Sequence, residues 1–300
     1  VPITPDADID FLAHKVWSAH RKFEEFAYAV DSEALPSAIA GVNSRSALTE
    51  VGGDAWFAAA VASVVSRIQS GEFQKVVLAR AFDLRLAAAM RPLLALNRLR
   101  ERFAGCYAFS FANGRGQSFI GATPERLVRI EGGRLLSEAL AGSAPRGATA
   151  SEDAELARSL LASAKDVAEH DFVIDSIRRR LGQLDLTLEV GSRMRLKKLS
   201  NVQHLQTQLS APVPPSVHIL DVLAELHPTP AVGGMPREEA LAEIAGAEPF
   251  PRELYAGALG WFDPKGEGEF VVGIRAARMD GPLARLYSGV GIVAASDPEK

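Results

Sequence analysis

Three two-residue turn signals, Asn113-Gly114, Gly132-Gly133 and Asp280-Gly281, each divide runs rich in aromatic and aliphatic residues, and they constrain the fold more than any other feature. Tight turns of this kind join antiparallel neighbours, because glycine and asparagine accept the positive φ that closes them. CYAFSF, QSFIGA, ERLVRIE and RLLSEAL therefore predict an antiparallel meander, while GALGWFDP, EFVVGIRAARM and LARLYSGVGIVA predict a hairpin series. FQKVVLARAFDLRL reads as a further strand. Helices are expected from Asp54 as cap to about Ser70, from Pro92 to about Phe103, near 150–162 behind a Thr149/Glu152 capping box, from Ser163/Asp166 to about Leu181, and over 217–226 and 236–246. The fold class is α/β of the α+β kind. No repeat or linker cuts the chain, so a single domain over 1–300 is expected.

Composition excludes several functions. With 47% hydrophobic and 23% charged residues, 300 residues can bury a large core. The net charge of −4 without blocks of like charge argues against nucleic acid as a partner. The longest strongly apolar stretch, AWFAAAVASVV at 55–65, is shorter than the roughly 18 residues of a membrane span, and no signal-peptide layout is visible. No membrane partner is expected, and a cytoplasmic monomer is. The lone Cys106 allows neither an intrachain disulfide nor a cysteine metal cluster. The histidines show no metal-ligand spacing. The G-x-G at Gly114–Gly116 lacks the third glycine and helix of a nucleotide loop.

Lys75 in FQKVVLAR, Glu125 in GATPERL, Gly142-Ser143 in LAGSAPRG and Glu169 in KDVAEHDF stand in an order that resembles the chorismate-utilising enzymes, and within them the isochorismate synthases. VQHL, HPTPAVGG, EPFPRELYAGALGWFD, VGIRAARM and YSGVGIVAASDPEK extend the match from about residue 72 to the end. The resemblance implies two large antiparallel sheets flanked by helices, with the active site between them, acting on chorismate with Mg²⁺.

It also implies roles. Lys75 is similar to a general base that draws a proton from water; a free lysine holds its proton to about pH 10.4, so working near neutrality needs that value lowered by about 3. Taken alone, Lys75 also fits the solvent face of a strand. Glu125 resembles the general acid, which needs a dry pocket or a second carboxylate to keep its proton; locally it also fits a strand-start glutamate paired with Arg126 or Arg129. Glu169 resembles a Mg²⁺ ligand on a helix that packs through Phe172, Val173 and Ile177, with Asp166 one turn back, though a solvated helix face reads equally from its neighbours. Arg275, on a strand, and the backbone at Gly289 and Gly291 would hold the two substrate carboxylates. Tyr255, Tyr287, His204, Ala231 and Val232 would form the walls, and Gly142-Ser143 a turn beneath the ring. His204 fits a satisfied core group as well.

Three departures within the family select a reaction. Anthranilate synthases resemble this chain but carry glutamine at the place of Lys75, which makes water the expected nucleophile here. Aminodeoxychorismate synthases have a nucleophilic lysine where this chain has Ala141. Salicylate synthases have a threonine where this chain has Ala231. The resemblance thus implies Mg²⁺-dependent isomerisation of chorismate to isochorismate, with salicylate formation or a non-catalytic chorismate-binding protein as alternatives and both menaquinone and siderophore roles open. The family's E-W-x-E segment, expected to supply the second Mg²⁺ ligand, lies beyond Lys300, and a longer N-terminal portion is also expected.

Overall fold

In a computed structural model of the chain, residues 48–300 are described apart from Asp54, Arg193, Ser200, Asn201 and Lys300. They fall within one compact unit, Ser46–Lys300, the second of two into which the chain divides. The expected single domain over 1–300 and the Asp54 cap reach residues outside those described.

The first sheet is built around β2 (Lys75–Arg85), which alternates its side chains between two buried faces. Val76 and Leu78 meet α1 (Trp56–Gln69) and α6 (Arg237–Ala247) in a cluster with Val61, Val64, Ile68, Ala240, Ile244 and Ile292. Ala79 and Ala81, on the opposite face, join the main core. Such a strand needs the near-continuous apolar run VVLA. Leu78 is fully buried, and its truncation to alanine costs about 2–5 kcal/mol. Gly71, at φ +85°, follows the Ser70 cap and terminates α1.

Among the described residues there are two seven-stranded sheets, all pairs antiparallel. The first runs β1 (Leu48–Glu50), β2, β14 (Leu283–Ile292), β13 (Ala276–Asp280), β4 (Gln117–Thr123), β3 (Tyr107–Ala112), with β10 (Gly234–Met235) also on β2. The second runs β11 (Ala258–Phe262), β12 (Gly268–Val272), β5 (Arg126–Glu131), β6 (Arg134–Pro145), β9 (Val202–Pro212), β7 (Glu189–Val190), with β8 (Arg195–Lys198) on β9. The remaining helices are α2 (Pro92–Arg102), α3 (Ala150–Ala162), α4 (Ala164–Gly182) and α5 (Ile219–Leu226). α4 lies on β6 and β9, and α5 on β5. Thr149 and Ser163 cap α3 and α4 by accepting from Glu152 N and Asp166 N. The return bond of the first box goes to Ala148 N, one residue before the cap. No described helix is long and apolar enough to cross a membrane.

Two expectations need correction. The predicted meander is split: β3 and β4 belong to the first sheet, β5 and β6 to the second, and the chain crosses at Pro124-Glu125. Proline removes a ladder donor there, so pairing cannot continue straight through. Likewise EFVVGIRAARM is two strands, with a crossing at Gly273–Arg275 where Arg275 sits at φ +52°. Periodicity alone cannot register a change of partner sheet, since the alternation continues on both sides of it.

Candidate active site

The two crossings pair with each other: Ala122 N donates to Arg275 O at 3.2 Å, and Val272 N donates to Glu125 O at 3.0 Å. The acid and the arginine are thereby brought to one place from positions 150 apart in the chain. Arg275 is therefore in a connection rather than on a strand as expected. Its left-handed backbone costs on the order of 1–2 kcal/mol in a non-glycine residue, and it presents the guanidinium to a cavity.

That cavity has a volume of about 280 Å³ and is lined by Glu125, Ala231, Val232, Tyr255, Arg275, Tyr287, Gly289 and Gly291, together with Val77, Arg252 and others. Eight sequence-predicted residues thus meet in one space. The Y-x-G-x-G alternation explains the last three, since Tyr287, Gly289 and Gly291 face one side of β14, opposite Ala81, Ala79 and Val77 of β2. Room is tight at Gly289 and closer than usual at Gly291. A Cβ on Gly289 would come within 2.9 Å of the Tyr255 hydroxyl, and one on Gly291 within 3.1 Å of Lys75 Cε. Tyr255 and Tyr287 stack with centroids 4.9 Å apart; burial pushes the Tyr255 phenol up to about 12, so it is neutral.

Lys75 opens β2 against Gly291, and its Nζ donates to Glu169 Oε1 at 3.3 Å. Glu169 is half exposed on α4. The helix packs as expected through Ile177 and Val173, whereas Phe172 is 39% exposed and Ile174 takes the buried place. Asp166 lies beneath Gly142 rather than as a partner of Glu169: a Cβ on Gly142 would meet the Asp166 Cβ at 3.0 Å.

Gly142 is at φ +70°, and the β6/β9 register slips between Ala141 and Ser143. The expected turn is in fact a β-bulge within β6, which re-aims Ser143. Ser143 Oγ and His204 Nδ1 are 2.8 Å apart, and His204 Nε2 is 3.5 Å from Arg275 Nη2. Because guanidinium can only donate, Nε2 is the acceptor and Nδ1 carries the proton toward Ser143. Burial and the Arg275 charge both lower the His204 pKa, consistent with a neutral ring. The ring thus has protein partners on both nitrogens, Ser143 and the cavity's Arg275.

Burial, reinforced by the Glu138 carboxylate, raises the Glu125 carboxyl to about 7 against the opposing charges of Lys197, Lys75 and Arg275. Both causes anticipated for an acid are present. Arg129 pairs with Glu131, leaving the alternative reading of Glu125 without that partner. Behind Glu125 a second cavity of about 250 Å³ is shared with Glu138 and Ala231.

Sequence reasoning missed three contributors. Arg252 ties the walls together by donating to Val77 O at 2.6 Å and Val232 O at 2.8 Å while paired with buried Glu248. Glu138 and Lys197 flank the acid. A signal existed for Glu138 and Glu248, each a lone carboxylate in an otherwise apolar or proline-bounded run, but neither position identifies its partner. Among the described residues no group of three or more His, Cys, Asp or Glu could by itself hold a metal ion. Glu169 offers one half-exposed carboxylate, paired with Lys75. That suits Mg²⁺, which takes one or two carboxylates and fills its octahedron with water and substrate oxygens.

Known proteins resemble the chain in sequence and in fold. The chain is 42% identical over 240 residues to the salicylate biosynthesis isochorismate synthase of Pseudomonas aeruginosa, covering 80% of this chain and 50% of the relative. It is 34% identical to the isochorismate synthase EntC of Escherichia coli, covering 99% and 75%. The structure of MenF, the menaquinone-specific isochorismate synthase of Escherichia coli, superposes with a TM-score of 0.80 at 35% identity, covering 84% of this chain and 58% of that one. The chain thus spans about half the length of the Pseudomonas relative. A sequence profile of the chorismate binding enzymes matches residues 1–300, and the chain belongs to the chorismate binding enzyme family.

Proposed function

We propose that this chain carries the catalytic site of an isochorismate synthase, converting chorismate to isochorismate in a Mg²⁺-dependent, reversible reaction. The single observation that carries the reading is Glu125, a carboxyl raised to about 7 in a cavity that it shares with Arg275. Such an acid keeps its proton near neutrality and can hand it to a departing hydroxyl. The similarity to isochorismate synthases supports the same reaction.

In this reading Arg275 takes one substrate carboxylate as a bidentate pair, and the backbone at Gly289 and Gly291 approaches the other. Tyr255 and Tyr287 form an apolar wall beside the ring. Lys75 takes a proton from the water that bonds to C2, the ring double bonds shift, and the C4 hydroxyl leaves as water with the proton of Glu125. Charge and atoms balance with one proton gained by Lys75 and one lost by Glu125. Mg²⁺, when bound at Glu169, would neutralise a substrate carboxylate. The chain's own part there is to offer Glu169 and to let Lys75 release it.

Ala231 lines the cavity at the place where the salicylate synthases have threonine, and that difference favours isomerisation over the salicylate-forming alternative. The test is chromatography of a reaction containing only the protein, Mg²⁺ and chorismate. Isochorismate without pyruvate is expected. Pyruvate with salicylate, or dependence on ammonia, would overturn the assignment.

A further inference from the structure

Glu138 and Lys197 have no part in the reaction just described, yet both stand against the acid. Glu138, on β6, is 8% exposed, and its carboxylate accepts from Lys197 Nζ at 2.7 Å, from Gln206 Nε2 and from Arg126 N at 3.4 Å. Lys197, on β8, donates a second bond to the carbonyl of Pro124 at 2.5 Å. Among the described residues β8 pairs only with β9, with Lys197 opposite His204. One ammonium therefore joins three elements: the edge strand, β6 and the crossing at Pro124-Glu125. Burying an ion pair is seldom the most stabilising choice, since apolar residues of the same volume commonly do as well. A charge pair placed beside the acid has a use that an apolar pair lacks.

We propose that Lys197 is a positioning residue for Glu125, pinning the Pro124 carbonyl to the Glu138 carboxylate so that the acid is held in the substrate cavity beside a balanced pair of charges. The proposal rests on the functional reading above for its kinetic consequence, but not for its geometry. The charged or titratable groups facing Glu125 are Glu138 from β6, Lys197 from β8, Lys75 from β2, Arg275 from the second crossing, and Tyr255. Of these, Glu138 and Lys197 act in opposite directions and are bonded to each other, so removing either leaves the other's charge uncompensated.

The test is a ¹³C NMR titration of the Glu125 carboxyl, assigned with Glu125→Gln, in the wild type, Glu138→Gln, Lys197→Met and the double variant. Glu138→Gln should move the midpoint down, Lys197→Met should move it up, and the double variant should return it toward the wild type. The double variant buries no unpaired charge, so it is informative even where a single variant folds poorly. In turnover of chorismate, Lys197→Met should lower kcat by about 10–100-fold with KM changed far less, and Lys197→Arg should recover most of that loss. A midpoint that stays in place, or moves the same way in both single variants, would overturn the proposal. So would a folded Lys197→Met protein with undiminished kcat. If the midpoints move oppositely while the wild type forms no isochorismate, the positioning role stands and the proposed reaction fails.

Discussion

The hydroxyl of Tyr255 occupies the space that a side chain on Gly289 would need, with only 2.9 Å between that oxygen and a Cβ built at the glycine. Gly289→Ala should therefore push the tyrosine from its stack on Tyr287 and lower kcat/KM at least about tenfold. Combining it with Tyr255→Phe, which removes the clashing atom, should restore a large part of the loss. A double-mutant cycle reads the coupling; strictly additive effects would show that the two groups do not compete for the same space.

Loss of either proton-transfer group should be severe. Lys75→Ala and Glu125→Gln are each expected to lower kcat by roughly 10²–10⁴, with KM changing far less. Steady-state kinetics on chorismate decides it, and a near-normal kcat in either variant would remove that residue from the mechanism.

The raised carboxyl of Glu125 has consequences of opposite kinds for activity and stability. Its acid form is the working one, so kcat/KM should fall as pH rises through about 7. In stability, the unfolded chain ionises this group at its ordinary value of 4.5 while the folded chain keeps the proton to about 7. Stability is thus full below pH 4.5 and is lost as pH rises to about 7. Glu125→Gln, which cannot ionise, should match the wild type near pH 4 and melt higher at pH 8. Equal melting temperatures at pH 8 would show that the carboxyl is not held in a penalising site.

Glu169→Ala should weaken the response of chorismate turnover to Mg²⁺ by at least about tenfold in the metal concentration needed. Activity titrated against Mg²⁺ for the wild type and the variant tests this. Full wild-type activity with the metal chelated away would sink the metal assignment.

Arg252 should matter for stability without touching the reacting atoms. Its partner Glu248 has a side chain only 3% exposed, so Arg252→Met strands a buried charge. That loss costs about 3–5 kcal/mol. Thermal melting should show it, and Glu248→Gln in the same background should return part of the difference.

Much of this site was readable from local patterns, because strand alternation places every second residue on one face. Y-x-G-x-G and the K-x-V-x-A of β2 place Tyr287, Gly289, Gly291 and Lys75 in order on adjoining strands. What was not readable is where the chain changes sheets. The Thr-Pro-Glu break at 123–125 reads as an ordinary connection between sheet neighbours, and the apolar run continues through Gly273–Arg275, so a meander and a single strand were expected where there are two crossings. The bulge at Gly142 escaped for a related reason: its extra residue shows only against β9, some 60 positions away. Lys197 carries no local sign of its partners, since both of its bonds reach residues more than 50 positions distant.

The reciprocal bonds of Ala122 to Arg275 and Val272 to Glu125 tie the spacing of acid and anion-binding arginine to backbone alone. If the two sheets slide on one another as substrate enters, both residues travel on the same hinge and keep their separation. The cavity could then change its grip on a ligand without losing the alignment of its chemistry, so selection for a different substrate can act on the walls while the reacting pair stays fixed.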